Sequence, residues 1–491
     1  MDSKPPNVIL LVLDTTRYDE TLTTHSGAPI APFLNDLATE GVCYDSTFTQ
    51  APWTLPSHAS LFTGTYPSKH GAHAKHKRLS PQLLTLSEIF SNAQYETVAV
   101  SNNTWISEEF GFARGFDTFH KTWQFVQSET DLGRIARTEE GADMFRALAS
   151  ELTQGNPLVN LANAFYGKYL RKHEDDGAKQ TNEWIQQWLQ NRDSSQPFFL
   201  FGNYLEPHLE YRPPRNNAER FLPDGVSFKS AMAVSQDAWE YISGKTELSK
   251  RDFDILRALY RAEIAYLDSR IEEVKEALVT AGEWDNTVFV VTSDHGENIG
   301  EHGLMDHQYA LYDTLLHVPL IINGGSFTGG KKVDNLIQLV DLAPTLLDVA
   351  GIEAPKAREQ FQGQSFHPEA NNEPQRCVFA EYMAPQPSMN ALEKRVGELP
   401  KHLRKYNRSL RAVRTEEYKY IRGSDGLKEL YDIRTDCGET DDIAEGNQDI
   451  VKEYDSILNG WANSFEHSQS TESVSMDADT RSRLEDLGYL Q

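Results

Sequence analysis

A threonine, a pair of aspartates and several histidines stand where their types could act together. Thr54 lies in the stretch QAPWTLPSHASLFTG, residues 50–64. Pro56 suits a first helical turn and Gly64 a stop, so the spacing predicts a short helix with Thr54 as its amino-terminal cap. A hydroxyl there sits beside unpaired backbone N–H groups and the positive end of the helix dipole, which favour an alkoxide and the anion it attacks. Capping alone is the commoner role for such a threonine. Asp14, Asp294 and His295 supply two carboxylates and an imidazole, a set that suits Mn²⁺, Zn²⁺, Mg²⁺ or Ca²⁺, with Thr54 as a fourth ligand. A cation there would acidify the hydroxyl and polarise an anionic ester. His208, in EPHLEY, and His307, in GLMDHQ, are candidates to bind the anion or protonate a leaving group, because imidazole titrates near neutrality. His302 and His317 read as structural, and His70, His73 and His76 as part of a solvated basic loop.

These side chains need a scaffold that gathers distant parts of the chain. Residues 8–13, VILLVL, form a continuous β-rich apolar run that ends on Asp14, the pattern of a strand buried on both faces of a parallel sheet. Residues 97–100, 198–201 and 287–292 share that grammar and deliver Asn102 and Asn103, then His208, then Asp294 and His295 at or beyond their carboxyl ends. Ligands bind at that edge in open α/β sheets. Helical patterns alternate with the strands, at residues 32–40, 255–278 and 339–350. Residues 121–177 interrupt the alternation as a mostly helical insertion. The polar stretch 368–376 reads as a linker, and four short β-like runs between residues 378 and 433 predict a small antiparallel sheet closed by a helix at 450–465. The expected organisation is a catalytic α/β domain over residues 1–375 and an α+β subdomain over 376–491.

The chain has 491 residues, with 47 Lys and Arg against 73 Asp and Glu, a formal charge of −26. That balance disfavours nucleic acid or an anionic membrane as a partner. The apolar run at residues 8–13 is too short for a secretory core, and no stretch reaches the roughly 20 apolar residues of a spanning helix. Cys43, Cys377 and Cys437 are far apart and suit a reducing compartment, so a cytoplasmic protein is expected. A homo-oligomer is compatible with all of this.

The segments VILLVLDTTRYD, PWTLPSHASLFTGTYPSKHG, GFARGFDTF, FFLFGNYLEPHLEY, VVTSDHGENIGEHGL, HVPLII and the tail RAVRTEEYKYI with KELYDIRTDCGETDDIAE resemble the sulfatase family of the alkaline phosphatase superfamily. The resemblance implies an alkaline-phosphatase-like sandwich with a large, mostly parallel sheet flanked by helices, a smaller C-terminal antiparallel sheet, and one divalent metal at the strand ends. It also exposes departures. Thr54 stands where sulfatases carry the Cys or Ser that becomes formylglycine, and threonine cannot become that aldehyde by the same route. His58 replaces the family's Arg after Pro-Ser, and Thr15 replaces a paired Asp. Asn102, Asn103 and Thr104 stand near where a Lys and a His are usual, and His307 stands about where a Lys is. Thr is the nucleophile in phosphodiesterase and phosphotransferase relatives of the superfamily.

Each departure removes a fixed positive charge or a carboxylate ligand. Mn²⁺ or Zn²⁺ therefore fits better than Ca²⁺ or Mg²⁺, and a singly charged diester suffers less than a dianion from the lost cations. The expectation is a metal-dependent hydrolase of small anionic phosphoesters, diesters before monoesters. Thr54 would be the nucleophile, Asp14, Asp294, His295 and Thr54 the metal ligands, His208 and His307 the groups at the leaving oxygen, and His58, Asn102 and Asn103 the pocket lining. The alternatives are a sulfatase acting without formylglycine, a phosphotransferase, and a non-catalytic anion-binding relative.

Overall fold

Residues NVILLVL form a strand, β1 (Asn7–Leu13), that is buried at every position. Only a central place in a sheet covered on both faces satisfies such a segment, and β1 has it. A computed structural model describes residues 4–122 and 175–468, so the insertion expected at 121–177 lies, apart from its ends, outside the described residues.

The large sheet has eight strands: β1, β2 (Val42–Tyr44), β3 (Glu96–Ser101), β4 (Thr118–Lys121), β5 (Phe198–Tyr204), β6 (Thr287–Ser293), β7 (Leu320–Asn323) and β8 (Lys331–Val333). Their order across the sheet is β8-β2-β7-β6-β1-β5-β3-β4. Every neighbouring pair is parallel except those made by β7, which runs antiparallel to β2 and β6. β5 and β6 are buried throughout like β1, so all three central strands are apolar on both faces.

Helices flank this sheet. They include α1 (Pro32–Glu40), α2 (Thr54–Thr63), α3 (Ala178–Asn191), α4 (Lys250–Ala281) and α5 (Leu342–Ala350). α4 packs against α1 and α3, and α5 against α2 and β1. The start of α4 is fixed by a capping box: Ser249 accepts from the Asp252 N–H, and the Asp252 carboxylate accepts from the Ser249 N–H. Pro344 sits in the first turn of α5, where its missing N–H costs nothing, and Gly351 ends that helix at φ 64°. Among the described residues no helix is long and apolar enough to cross a membrane.

The smaller sheet is an antiparallel meander of β9 (Val378–Tyr382), β10 (Leu410–Arg414), β11 (Tyr418–Gly423) and β12 (Lys428–Asp432). Successive side chains point to opposite faces. Ala412 and Ile421 therefore join the main core, while Val413 and Tyr420 pack under α6 (Gln448–Ala462) with Tyr454 and Leu458.

The turn leaving β1 is the costly piece of backbone. Thr15 has φ 55°, a left-handed conformation that a β-branched residue rarely adopts. Tyr260, from the middle of α4, holds it: its hydroxyl donates to the Thr15 carbonyl at 2.7 Å and accepts from the Arg17 N–H at 2.9 Å. The Thr16 N–H adds a bond to Ser293 Oγ at 2.9 Å. Tyr260→Phe strands both backbone groups in a buried site. Urea unfolding should show it about 1–3 kcal/mol less stable than the native chain, with the slope of the transition unchanged.

Candidate active site

Leu13 pairs with Ser293 across β1 and β6, so the next residues, Asp14 and Asp294, leave adjacent parallel strands at the same level. Strands are about 4.8 Å apart, and the two carboxylates are forced into one place. Leu13 also pairs with Tyr204, and Ser101 with Asn203, which brings Asn103 and the loop bearing His208 to the same edge. Ser293 stitches the edge together, with its Oγ 2.5 Å from the Leu13 carbonyl and 2.7 Å from the His295 carbonyl. Gly296 follows because a Cβ there would lie 2.0 Å from the Thr314 carbonyl oxygen.

α2 approaches this edge end-on, and all ten of its residues are buried. The expected cap is corrected here: Trp53, with extended backbone, takes the cap position, and Thr54 is the first helical residue. The Ser57 N–H already bonds the Trp53 carbonyl and Pro56 has no N–H to offer, so the Thr54 hydroxyl has no capping task. It faces the strand ends instead, 3.3 Å from His295 Nε2 and 3.4 Å from Asn103 Nδ2. Ser57 Oγ anchors the helix by donating to the Asp294 carbonyl at 2.7 Å.

Asp14, Asp294 and His295 present three ligand atoms within 4.8 Å of one another, all buried. His295 Nε2 is 3.4 Å from Asp294 Oδ2 and 3.7 Å from Asp14 Oδ1, and neither of these oxygens has a hydrogen-bond partner among the described residues. His295 Nδ1 lies 2.9 Å from the Gly296 carbonyl, which holds the proton on Nδ1 and leaves the Nε2 lone pair for a ligand. Burial raises the Asp14 carboxyl to about 7 against the lowering effects of His307 and Asn103. Burial, and then Asp14, push Asp294 well above its usual range, while burial and His307 push His295 well below. Two buried acids that resist ionising, beside an imidazole that resists protonation, are what remains when a positive charge is left out. The donor set fits a divalent cation, with Thr54 Oγ1 at its border.

The remaining expected residues divide. Asn103 belongs to the cluster: its Oδ1 accepts from the Trp105 N–H at 3.0 Å, which aims Nδ2 at Asp14 Oδ2, 2.5 Å away. Asn102 does not reach it, since its Oδ1 accepts from the hydroxyls of Thr122 at 2.7 Å and Thr181 at 2.8 Å and ties α3 to the sheet. His58 lies one turn along α2, with Nδ1 3.0 Å from the Thr54 carbonyl and 3.4 Å from Asp294 Oδ2. Packed edge-on to Phe112 and Phe201, it is held by burial at about 4 and is neutral at neutral pH. His208 and His307 are ring neighbours at 5.2 Å, and His307 stands 4.5 Å from the His295 ring. Burial, and then His307, lower His208 to about 4. Burial alone would lower His307, but Asp306, with Oδ1 2.6 Å from Nδ1, and Glu297 more than reverse it and hold the ring well above its ordinary value.

Sequence reasoning missed Tyr260, Ser57, Glu297 and Asp306. Tyr260 and Ser57 carry no local signal, because their partners are backbone atoms some 240 residues away. Glu297 and Asp306 were signalled: each lies within two residues of an expected site histidine, Glu297 of His295 and Asp306 of His307.

The family model for sulfatases matches residues 6–352. Human arylsulfatase K is 25% identical over 490 residues, covering 94% of this chain and 83% of its own. The arylsulfatase of Clostridium perfringens is 25% identical over 391 residues, covering 75% and 79%. The crystal structure of the phosphonate monoester hydrolase of Agrobacterium radiobacter superposes with a TM-score of 0.66 at 20% identity, covering 93% of this chain and 95% of that one.

Cation binding should displace the Asp14 proton. Below a pH of about 7 the metal-free Asp14 carboxyl is protonated, and Asp294 is pushed up as well, so the apparent Mn²⁺ affinity should fall as pH drops, about tenfold per pH unit for each proton displaced. Calorimetric titrations of chelated protein between pH 5.5 and 8.5 check this; an affinity independent of pH would remove Asp14 from the ligand set.

Proposed function

The chain belongs to the sulfatase family, and on that premise we propose that it hydrolyses small anionic phosphoesters, diesters before monoesters, with Thr54 as the nucleophile. One observation carries the reading. The Thr54 hydroxyl is buried at the first turn of α2, released from capping, and set between His295 Nε2 and Asn103 Nδ2 beside the carboxylate pair.

A divalent cation held by Asp14, Asp294 and His295, with Thr54 alongside, would supply charge to acidify the hydroxyl and polarise the ester. Thr54 Oγ1 loses its proton to solvent and attacks phosphorus, and the bond from phosphorus to the leaving oxygen breaks. The amino end of α2 favours the negative charge that gathers there. His307 protonates the leaving oxygen. Its Nδ1 is engaged by Asp306, so the proton it gives up is the one on Nε2. His208, neutral beside it, orients an oxygen by hydrogen bonding. Water then attacks phosphorus, Thr54 Oγ1 leaves and regains a proton, and the monoester product departs. Asn103 holds Asp14 and Thr54 in register throughout.

The preference for a singly charged group follows from charge. His58, where the family carries Arg, is neutral, and His307 is an imidazolium where the family carries Lys. With one cation fewer, the site grips a phosphate dianion less well, and a singly charged group suffers less from that loss. Phosphonate monoesters belong in the same test. A sulfate monoester also carries one charge, and the two arylsulfatase relatives favour that as a second reading, with Thr54 or a water as the attacking group.

The test compares the native chain with Thr54→Ala and Thr54→Ser on nitrophenyl esters of sulfate, phosphate, a phosphate diester and a phosphonate, with Mn²⁺ restored after chelation. The diester should be the best phosphoester. Thr54→Ala should lose at least about a thousandfold in kcat while binding Mn²⁺, and Thr54→Ser should keep most of it. Faster sulfate turnover would select the second reading, and full activity in Thr54→Ala would remove the nucleophile.

A further inference from the structure

Beside the first cluster stands another that one cation leaves unexplained. Residues Asn298–Ile299 pair antiparallel with Met305–Asp306, with Asn298 opposite Asp306. The residues just outside this ribbon, Glu297 and His307, therefore face each other across it, and Asp306 adjoins them. The chain thus repeats its acid-imidazole dipeptide: Asp294-His295 serves the first cluster and Asp306-His307 the second.

Glu297 is the telling residue. It is 0% exposed, and neither carboxylate oxygen has a hydrogen-bond partner among the described residues. His307 Nδ1 approaches Glu297 Oε1 only to 3.6 Å, because it is drawn to Asp306 Oδ1 at 2.6 Å. The nearby Arg17 guanidinium goes to the Glu297 backbone carbonyl and to Asp19 and Glu301, not to the Glu297 side chain. Both Glu297 oxygens are therefore buried without a donor among the described residues, and a buried carboxylate without donors costs several kcal/mol. A protonated Glu297 would not escape this, since its O–H would need an acceptor.

We propose that Glu297, Asp306 and His307 form a second divalent-cation site adjoining the first. Their ligand atoms lie within 4.8 Å of one another, all buried, and the oxygen-rich set with one imidazole suits Mn²⁺. Asp306 is already oriented as a ligating carboxylate should be, through the His307 N–H at 2.6 Å and the Gln308 amide. The His295 and His307 rings, 4.5 Å apart, join the two sets, so the cations would be neighbours of the kind that clamp the attacking and leaving oxygens of a phosphoryl group. His307 bound through Nδ1 would be a neutral imidazole, so in a two-cation site the second cation would supply the charge for the leaving oxygen that the imidazolium supplies without it. The inference rests on the cation site at Asp14, Asp294 and His295, and its test reads the two sites separately.

The experiment is a Mn²⁺ titration of the chelated native chain followed by calorimetry, elemental analysis and electron paramagnetic resonance. Two Mn²⁺ per chain and a spin-coupled spectrum are expected. Glu297→Gln, close in shape, should bind one Mn²⁺ with an uncoupled six-line spectrum, and Asp294→Asn should lose the other ion. A single uncoupled Mn²⁺ in the native chain, two uncoupled ions, or coupling that survives Glu297→Gln would each overturn the second site. Loss of all binding only in Asp294→Asn, with one ion in the native chain, would overturn it while leaving the first intact.

Discussion

Two carboxylates forced together in a buried place are the constraint from which the rest follows. Asp14 and Asp294 cannot separate, because each is the residue that follows a fully buried strand in a fixed register. Both are fully buried, and no side-chain ammonium or guanidinium is bonded to either among the described residues. A cation held there would resolve their repulsion. The arrangement around the pair makes sense in those terms: Asn103 and the backbone N–H groups of Thr15 and His295 take some of the lone pairs, His295 turns its own lone pair inward, and the strained Thr15 turn is held by a tyrosine from the longest helix.

The same logic explains how the site departs from its family. At the positions where sulfatases carry Arg and Lys, this chain has His58 and His307, and their surroundings drive them in opposite directions. His58 sits among phenylalanines and stays neutral, and its Nδ1 is spent on the Thr54 carbonyl and Asp294. His307 is gripped by Asp306 and keeps its charge. One substitution deletes a cation from the site and the other keeps one that can also give up a proton. On the proposed reading the same residue type serves twice, once as a neutral wall and once as the group that assists the leaving oxygen.

Much of this was legible in the sequence. The fully apolar run in β1 and the polar residue that ends it named the sheet, its edge and Asp14, because continuous hydrophobicity has few other uses in a strand. The Asp294-His295 dipeptide was found by the same grammar. Thr54 was singled out for a partly mistaken reason: Trp53 takes the cap, and the hydroxyl, free of that duty, faces the strand ends instead. Asn102 and Asn103 looked equivalent as neighbours beyond β3, yet one braces α3 and the other holds Asp14, a division fixed by Thr181 and Trp105 rather than by anything local. The antiparallel place of β7 was also illegible, since its three apolar residues, Leu320, Ile321 and Ile322, read the same in either direction.

The central claim is that Thr54 Oγ1 becomes covalently bonded to the substrate's phosphorus. Acid-quenching the Mn²⁺-loaded enzyme during turnover of a phosphate diester, and mapping the digested protein by mass spectrometry, tests it directly. A phosphoryl ester, still carrying the substrate's retained alcohol, is expected on the peptide that contains Thr54. Turnover with no adduct at any quench time, together with inversion of configuration at an isotopically chiral phosphorus, would mean that water attacks directly and would contradict it.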